Sequence, residues 1–325
     1  MKKIRSIVLH LLDAFLPPFV FIAAWVFKHI RKVGLAKLPH CKNAMLKAGA
    51  IPIRNHYYEP QFDYRKIKKP FSEERFLPGI DWNVAEQVIL LDALSFGHEL
   101  ADLPQKKPGE FDYDLTNSMF ASGDAEYWYQ LIRLTKPHRI FEVGSGNSTL
   151  MAMRAIRKNR QENPDYVCKH LCIEPYERPW LEGTGLPIIR QKVEDLGAGF
   201  FSELQENDIL FIDSSHIIRP QGDVVFEYLE LLPVLKRGVI VHLHNIFSPR
   251  NYLKRFLVDS LRFWNEQYLL EAFLSQNDKW KVLGALNYLH HNHYEKLKSV
   301  APFLTPDREP SSFYIQRIDR EPVRV

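Results

Sequence analysis

The order of apolar runs and turn signals predicts an α/β domain, a parallel sheet covered by helices on both faces, with an N-terminal helical and irregular extension ahead of it. Three observations carry that class. From Lys136 onward, strand-like runs alternate with helix-like stretches, the pattern of strand–helix–strand units. The runs "FIDSS" and "VIVHL" are almost continuously apolar, as strands buried on both faces are. One strand–helix junction, "RIFEVGSGNSTLMAMRAIRKN" (139–159), is built around two glycines.

Composition is compatible with that class. The 325 residues are 46% hydrophobic and 25% charged, an ordinary globular balance with enough chain for a sizeable core. The net charge of +4 hides an asymmetry. Residues 1–69 hold 14 Lys/Arg against 3 Asp/Glu, or +11, whereas the rest holds 29 against 36, or −7. The acidic body argues against a nucleic-acid substrate. The basic segment suits either an anionic lipid surface or a solvated flank. Three regions follow: a basic extension over 1–69, a helical lead-in over 70–135 and an α/β domain over 136–325. Cys41, Cys168 and Cys172 make no disulfide framework, and the last two share one predicted strand, too far apart to bridge. Buried thiols in a reducing, cytoplasmic setting are expected.

The extension opens on "IVLHLLDAFLPPFVFIAAWVF" (7–27), long enough to cross a bilayer by length alone. His10, Asp13 and the Pro17-Pro18 pair work against a straight span. No small-residue cleavage site precedes the next basic run, which argues against a cleaved signal peptide. The expectation is a helical hairpin, lying on a membrane surface through residues 1–33 or packed on the body, with a span as the alternative.

Farther along, Pro78-Gly79 marks a turn and Asn83 is the expected N-cap of a helix, with Glu86 three residues on. Val84, Val88, Leu91 and Leu94 recur at helical spacing. Ser122–Pro137 reads as a second helix. Strands are expected at Arg139–Val143, Cys168–Ile173, Pro187–Gln191, Ile209–Ile212, Val239–Leu243, Lys281–Ala285 and Ser312–Gln316. Helices are expected at Ser148–Lys158, Val224–Leu235 and Asn265–Ser275. "NYLHHNHY" (287–294) reads as a polar loop near a substrate mouth rather than a metal cluster.

Chemistry concentrates at the glycine junction. Gly144 and Gly146 permit a sharp turn and close approach of a ligand, and the next helix aims its first amides at the same spot. A dinucleotide fingerprint asks for a third glycine at 149, where this chain has Thr149. Glu142, two residues before the first glycine, suits a cationic ligand and would repel a pyrophosphate. Glu174, followed by Pro175, stands at the tip of the next strand, where an acid hydrogen-bonds ribose hydroxyls. A nucleoside bearing an amine and no phosphate meets those demands, and S-adenosylmethionine is one. A nicotinamide dehydrogenase is disfavoured by the same residues.

The motifs also carry a resemblance. "FEVGSGNSTL" resembles the first motif of class I S-adenosylmethionine-dependent methyltransferases, "CIEPY" the second, and "DILFIDSSH" their acidic strand end facing the substrate. "SGDAEYWYQLI", "LLPVLKRGVIVHLHNIF" and "WNEQYLLEAFL" resemble a bacterial group related to small-molecule O-methyltransferases. The resemblance spans about Asp112–Arg317. It implies a Rossmann-like three-layer sandwich with a seven-stranded sheet whose last strand is antiparallel. It also implies that Glu142, Gly144, Ser145 and Gly146 line the methionine half of the cofactor, that Glu174 holds the ribose and Pro175 lies against adenine, and that Asn147, Ser148 and Asp213 are cofactor-binding as well. Many members place an Asp where this chain reads "QKVEDL". Glu194 or backbone groups would then hold the adenine amine.

The second half of the site is expected at the ends of two further strands, where Asp213 and His216, and His244 and Asn245, should converge beside the sulfonium methyl. Two readings stay open. A divalent metal could be held by Asp213, His244 and Asn245, as in catechol-type enzymes but with His replacing the middle acid. Alternatively, His216 or His244 acts without metal as general base for a hydroxyl. Both readings, like a purely structural role for the histidines, fit the sequence. His242 alternates with His244 and is expected on the same side of the strand, at the sheet's buried edge. The expected activity is methylation of a hydroxyl on a small molecule or saccharide. The competing expectation is a catalytically inactive methyltransferase-like scaffold at a membrane surface.

Overall fold

The computed structural model describes residues 2–104 and 109–318, and the chain divides into two compact units, Met1–Lys68 and Lys69–Val325. In the first unit, α1 (Lys2–Phe15) and α2 (Pro17–Val33) meet at Leu16 with a bend of 54°. The expected hairpin is therefore a bent pair. Pro17 and Pro18 occupy the first turn of α2, where a missing amide costs nothing, so they end α1 and start α2 without a reversing loop. Among the described residues no single helix is long and apolar enough to cross a membrane, although the bent pair taken together reaches that length and composition. α2 buries none of its residues, and Phe19, Phe21, Ile22 and Trp25 stand exposed. α3 (Pro39–Ala48) follows, and Glu59 gathers Arg31 (2.6 Å) and Arg54 (3.2 Å).

The second unit is built on a seven-stranded sheet. Its strands are β1 (Arg139–Val143), β2 (Lys169–Ile173), β3 (Ile188–Ile189), β4 (Ile209–Ile212), β5 (Ile240–Leu243), β6 (Trp280–Ala285) and β7 (Phe313–Arg317). Their order is β3-β2-β1-β4-β5-β7-β6. β1 through β5 pair in parallel, and β7 runs antiparallel to both β5 and β6. This is the mostly parallel sheet with an antiparallel last strand that the resemblance implied.

Period-two alternation sends the strand side chains to two apolar layers. On one face Ile140, Ile209, Phe211, Ile240 and Tyr314 pack with α5 (Asp124–Thr135), α6 (Asn147–Glu162), α11 (Leu286–Asn292) and α12 (Tyr294–Val300). On the other, Phe141, Val143, Leu210, Ile212, Val241 and Leu243 pack with α9 (Asp223–Phe226) and α10 (Glu266–Leu274). The remaining helices are α4 (Val84–Ala93), α7 (Pro179–Glu182) and α8 (Val193–Leu196).

Several expectations need correction. Stretch 287–294 is helical, because Leu286, Leu289, Leu297 and Val300 recur at helical spacing and are buried against the first layer. The helix expected at 224–235 is broken. After α9 the chain winds as a wide π turn over Glu227–Leu231 and a tight one over Leu232–Val234, where Pro233 cannot donate to an α-helical ladder. Asn83 stands at the N-cap position of α4 as expected, but its side chain makes no capping hydrogen bond. Its backbone is left-handed (φ 49°), and its amide donates to the Val282 carbonyl at 3.0 Å and to Glu86 at 3.1 Å. β3 keeps only two of the five residues expected.

Candidate functional site

The loop after β1 is stitched between the two neighbouring strands. Gly144 N donates to the Ile173 carbonyl (3.0 Å) and Asp213 N to the Val143 carbonyl (2.9 Å). Gly144 has φ +79°, and a Cβ built there would stand 2.2 Å from the Asp213 carbonyl oxygen. Both facts demand glycine. Gly146 differs: its backbone is extended (φ −172°), and a built Cβ meets nothing within 4 Å. The space over the loop is therefore open at Gly146. α6 begins directly behind it with Asn147 and Ser148, and the first-turn amides of a helix have no carbonyl partners within it.

Beneath the loop lies Glu142, fully buried. Ser148 Oγ donates to its Oε1 (2.5 Å), and His170 Nε2 lies 2.9 Å from its Oε2. The position expected to line the methionine half thus braces the loop from below instead. Its carboxylate is turned to Ser148 at the start of α6 and to His170 across the strand pair. Sequence reading missed His170, whose signal was a polar residue inside the apolar run "KHLCI". Cys172, opposite Glu142 in register, is a buried thiol that burial pushes well up, away from thiolate.

Glu174 flanks the loop on the other side, only 3% exposed. Its Oε2 accepts from Ser145 N (3.4 Å) and pairs with Arg178 Nε (3.1 Å), and its Oε1 accepts from Tyr176 N (3.1 Å). Arg190 donates to the Glu174 carbonyl at 2.8 Å. The structure therefore brings Glu174 and the glycine loop together, with Pro175 half-buried beside them. Arg178 and Arg190 were not foreseen. Glu194 stands partly exposed on α8 and, among the described residues, makes no side-chain hydrogen bond.

At the end of β4, His216 is held between two carboxylates. Its Nε2 lies 3.2 Å from Asp213 Oδ1 and its Nδ1 2.7 Å from Glu266 Oε2. Tyr228 Oη donates to the other Glu266 oxygen (3.0 Å), and Trp264 packs on the imidazole with ring centres 4.4 Å apart. Burial alone would push the His216 pKa down, but the hydrogen bonds that its ring donates to Asp213 and Glu266 win and raise it to about 10. On Asp213 burial acts the other way, upward, yet the His216 bond and the His244 and His216 charges hold its carboxyl below the usual range. Asp213 stays 39% exposed and faces outward. His216 already carries its proton, so it is unsuited to be the general base the sequence allowed; it anchors Asp213.

His244 and Asn245 follow β5. His242 and His244 lie on the same side, ring centres 5.7 Å apart, as expected. His242, however, sits in the sheet interior rather than at its edge. It is fully buried among Phe120, Trp128, Phe211 and Tyr314, with neither ring nitrogen partnered. Burial and the adjacent His244 push its pKa well down, leaving a neutral ring. His244 is buried too, with Nδ1 unpartnered, and lines a cavity of about 530 Å³ together with Asp124, Asn245 and Trp264. Asp124 opens α5, and its Oδ1 accepts from Ser311 N (2.8 Å) and Ser312 N (2.7 Å). Burial pushes its carboxyl up, an effect the His244 charge opposes. Sequence reading passed over Asp124.

The proposed metal set fits poorly. Asp213 already answers a cation, the His216 imidazolium, which Glu266 holds in place. A divalent ion on Asp213 would face that positive charge at close range. Asn245 directs its amide to Ser311 Oγ (3.3 Å). A nucleoside cofactor fits better, because open space stands over Gly146 and both Glu174 and the α6 amides border the loop.

Residues 141–246 match a family model described as a methyltransferase domain. An uncharacterized protein of Archaeoglobus fulgidus is 29% identical over 178 residues, covering 50% of this chain and 78% of its own length. An O-methyltransferase from Bacillus cereus, solved with SAH, aligns over 73% of this chain and 98% of its own at 11% identity, TM-score 0.36. The plantazolicin methyltransferase BpumL, solved with SAH and a triazolic desmethylPZN analog, aligns over 73% of this chain and 99% of its own at 12% identity, TM-score 0.34.

Proposed function

We propose that this chain, a class I S-adenosylmethionine-dependent methyltransferase, methylates a hydroxyl oxygen of a small molecule or saccharide without a metal. The observation that carries the reading is the placement of Asp213 and His244 at the ends of adjacent strands, Asp213 touching the backbone of Gly144 and His244 lining the cavity. Bound S-adenosylmethionine supplies an electrophilic methyl on a sulfonium and leaves as S-adenosylhomocysteine.

The chain's own residues supply the rest. Gly144, Ser145, Gly146 and the amides of Asn147 and Ser148 form the floor for the methionine half. Glu142 fixes that floor through Ser148. Glu174 offers its carboxylate to the ribose, and Pro175 a face to the adenine. Glu194 is the nearest acid in sequence to serve the adenine amine. His244 takes the hydroxyl proton as general base, one ring nitrogen accepting while the other keeps its hydrogen. Asp213, anchored by His216, orients the acceptor oxygen in line with the methyl.

Two measurements test this reading. Calorimetry with S-adenosylhomocysteine and with NAD should give binding to the first alone. A pool of catechols, hydroxy acids and sugars given labelled S-adenosylmethionine should yield a singly labelled methyl ether, with undiminished yield after chelator treatment. Loss of yield on chelation restores the metal reading. Cofactor binding with no label transfer to any compound favours the inactive scaffold.

The first unit is proposed to rest on a membrane surface. Exposed apolar side chains on α1 and α2 lie next to Lys28, Arg31 and Lys32, a pattern that suits an anionic interface. Co-sedimentation with anionic but not zwitterionic vesicles, abolished by deleting residues 1–33, is the expected result. Equal recovery with and without vesicles would contradict it.

A further inference from the structure

We infer that the acceptor carries an oxyanion, a carboxylate or a phosphate ester, and that Arg255, Arg262 and Arg308 bind it. The inference rests on reading the cavity beside His244 as the acceptor site. Those three arginines line the same cavity as His244.

Two of the guanidiniums are set on an aromatic platform. Arg262 lies over Trp264 at 4.4 Å and over Phe256 at 5.1 Å, and Arg255 over Phe256 at 4.8 Å. Phe256 and Trp264 are themselves packed, ring centres 4.9 Å apart. Stacking orients a guanidinium while leaving its in-plane donors free for a planar or tetrahedral anion. Among the described residues, none of the three arginines forms an ion pair or a side-chain hydrogen bond.

Two of the three acids of the cavity are already engaged elsewhere. Glu309 is taken by His291 (2.9 Å) and Asn287 (2.8 Å). One Asp124 oxygen accepts two backbone amides, and burial pushes that carboxyl up. Asp307 offsets Arg308 in part. Three guanidiniums thus stand next to the proposed base with their donors unpaired among the described residues. Phe256 and Trp264 line the same cavity and add apolar surface to it.

The test uses the full chain saturated with S-adenosylhomocysteine, and calorimetry with four probes. Dihydroxybenzoate and glucose 6-phosphate represent the two oxyanion sources; dihydroxybenzamide and glucose are their neutral counterparts. At least one oxyanion should bind tenfold or more tightly than its counterpart. Raising the salt from 50 to 500 mM should weaken that binding. Arg255→Gln and Arg262→Gln should each weaken it tenfold or more, with the Tm and the S-adenosylhomocysteine affinity unchanged. The inference is overturned if neither oxyanion binds, if the neutral probes bind as well, or if the variants bind like the parent. It is also overturned if the variants lose S-adenosylhomocysteine instead, since the arginines would then serve the cofactor carboxylate. Charge-dependent binding with no label transfer from S-adenosylmethionine to any oxyanion acceptor would leave this inference standing and sink the hydroxyl-methylation reading alone.

Discussion

His216 Nδ1 lies 2.7 Å from Glu266 Oε2 in a site closed to solvent on that side. With Asp213 on the other nitrogen, the imidazole is a buried cation between two anions, and its pKa is raised to about 10. Stability from such a group is complete below the unfolded-state value near 6.5 and is lost as pH rises towards 10. Wild-type protein should therefore lose roughly 3 kcal/mol more than His216→Gln between pH 7 and pH 10, read by urea unfolding. Parallel curves for the two proteins would show that the cation is not formed.

The two loop glycines should fail differently. Gly144→Ala drives a methyl into the Asp213 carbonyl and forces a positive φ on alanine, so a loss of about 2–4 kcal/mol is expected. Gly146→Ala meets only open space from extended backbone. Its Tm should stay within 1–2 °C of wild type, while S-adenosylhomocysteine affinity falls tenfold or more because the methyl occupies the cofactor's floor. Unchanged affinity in Gly146→Ala would place the cofactor elsewhere.

Glu142 and Glu174 should also separate. Glu142→Ala strands the buried His170 and Ser148 hydroxyl and should cost roughly 2–3 kcal/mol, with weakened cofactor binding as a consequence of a loosened loop. Glu174→Gln keeps the shape and the Tyr176 contact but alters the ribose partner, so affinity should drop tenfold with little change in Tm. Thermal unfolding and calorimetry on the same preparations distinguish these outcomes. Equal stability losses in both would mean that Glu174 is structural too.

The fold was largely legible because its signals are local: apolar runs of strand length, a glycine turn, and acids at strand tips. What escaped depends on packing. Nothing in "NYLHHNHY" shows that Leu286, Leu289 and Leu297 share one buried face until the first layer is assembled around them. Glu142 reads as a ligand-facing acid because His170, its partner, lies 28 residues away across a strand pair. His216 reads as a base because Glu266, which fixes its proton, is 50 residues distant. Asp124 was hidden in a helix start, and the sheet alone brings it to His244. Acids and histidines at strand ends marked the location of the site; long-range partners decided their charge states.

The most direct test of the account is a single-turnover measurement of label transfer from S-adenosylmethionine, comparing wild type with His244→Gln at saturating cofactor and acceptor. The account predicts that the variant binds S-adenosylhomocysteine as wild type does and transfers methyl about 10²-fold more slowly, with partial recovery at high pH as the hydroxyl ionises unaided. Transfer at the wild-type rate in His244→Gln would contradict it.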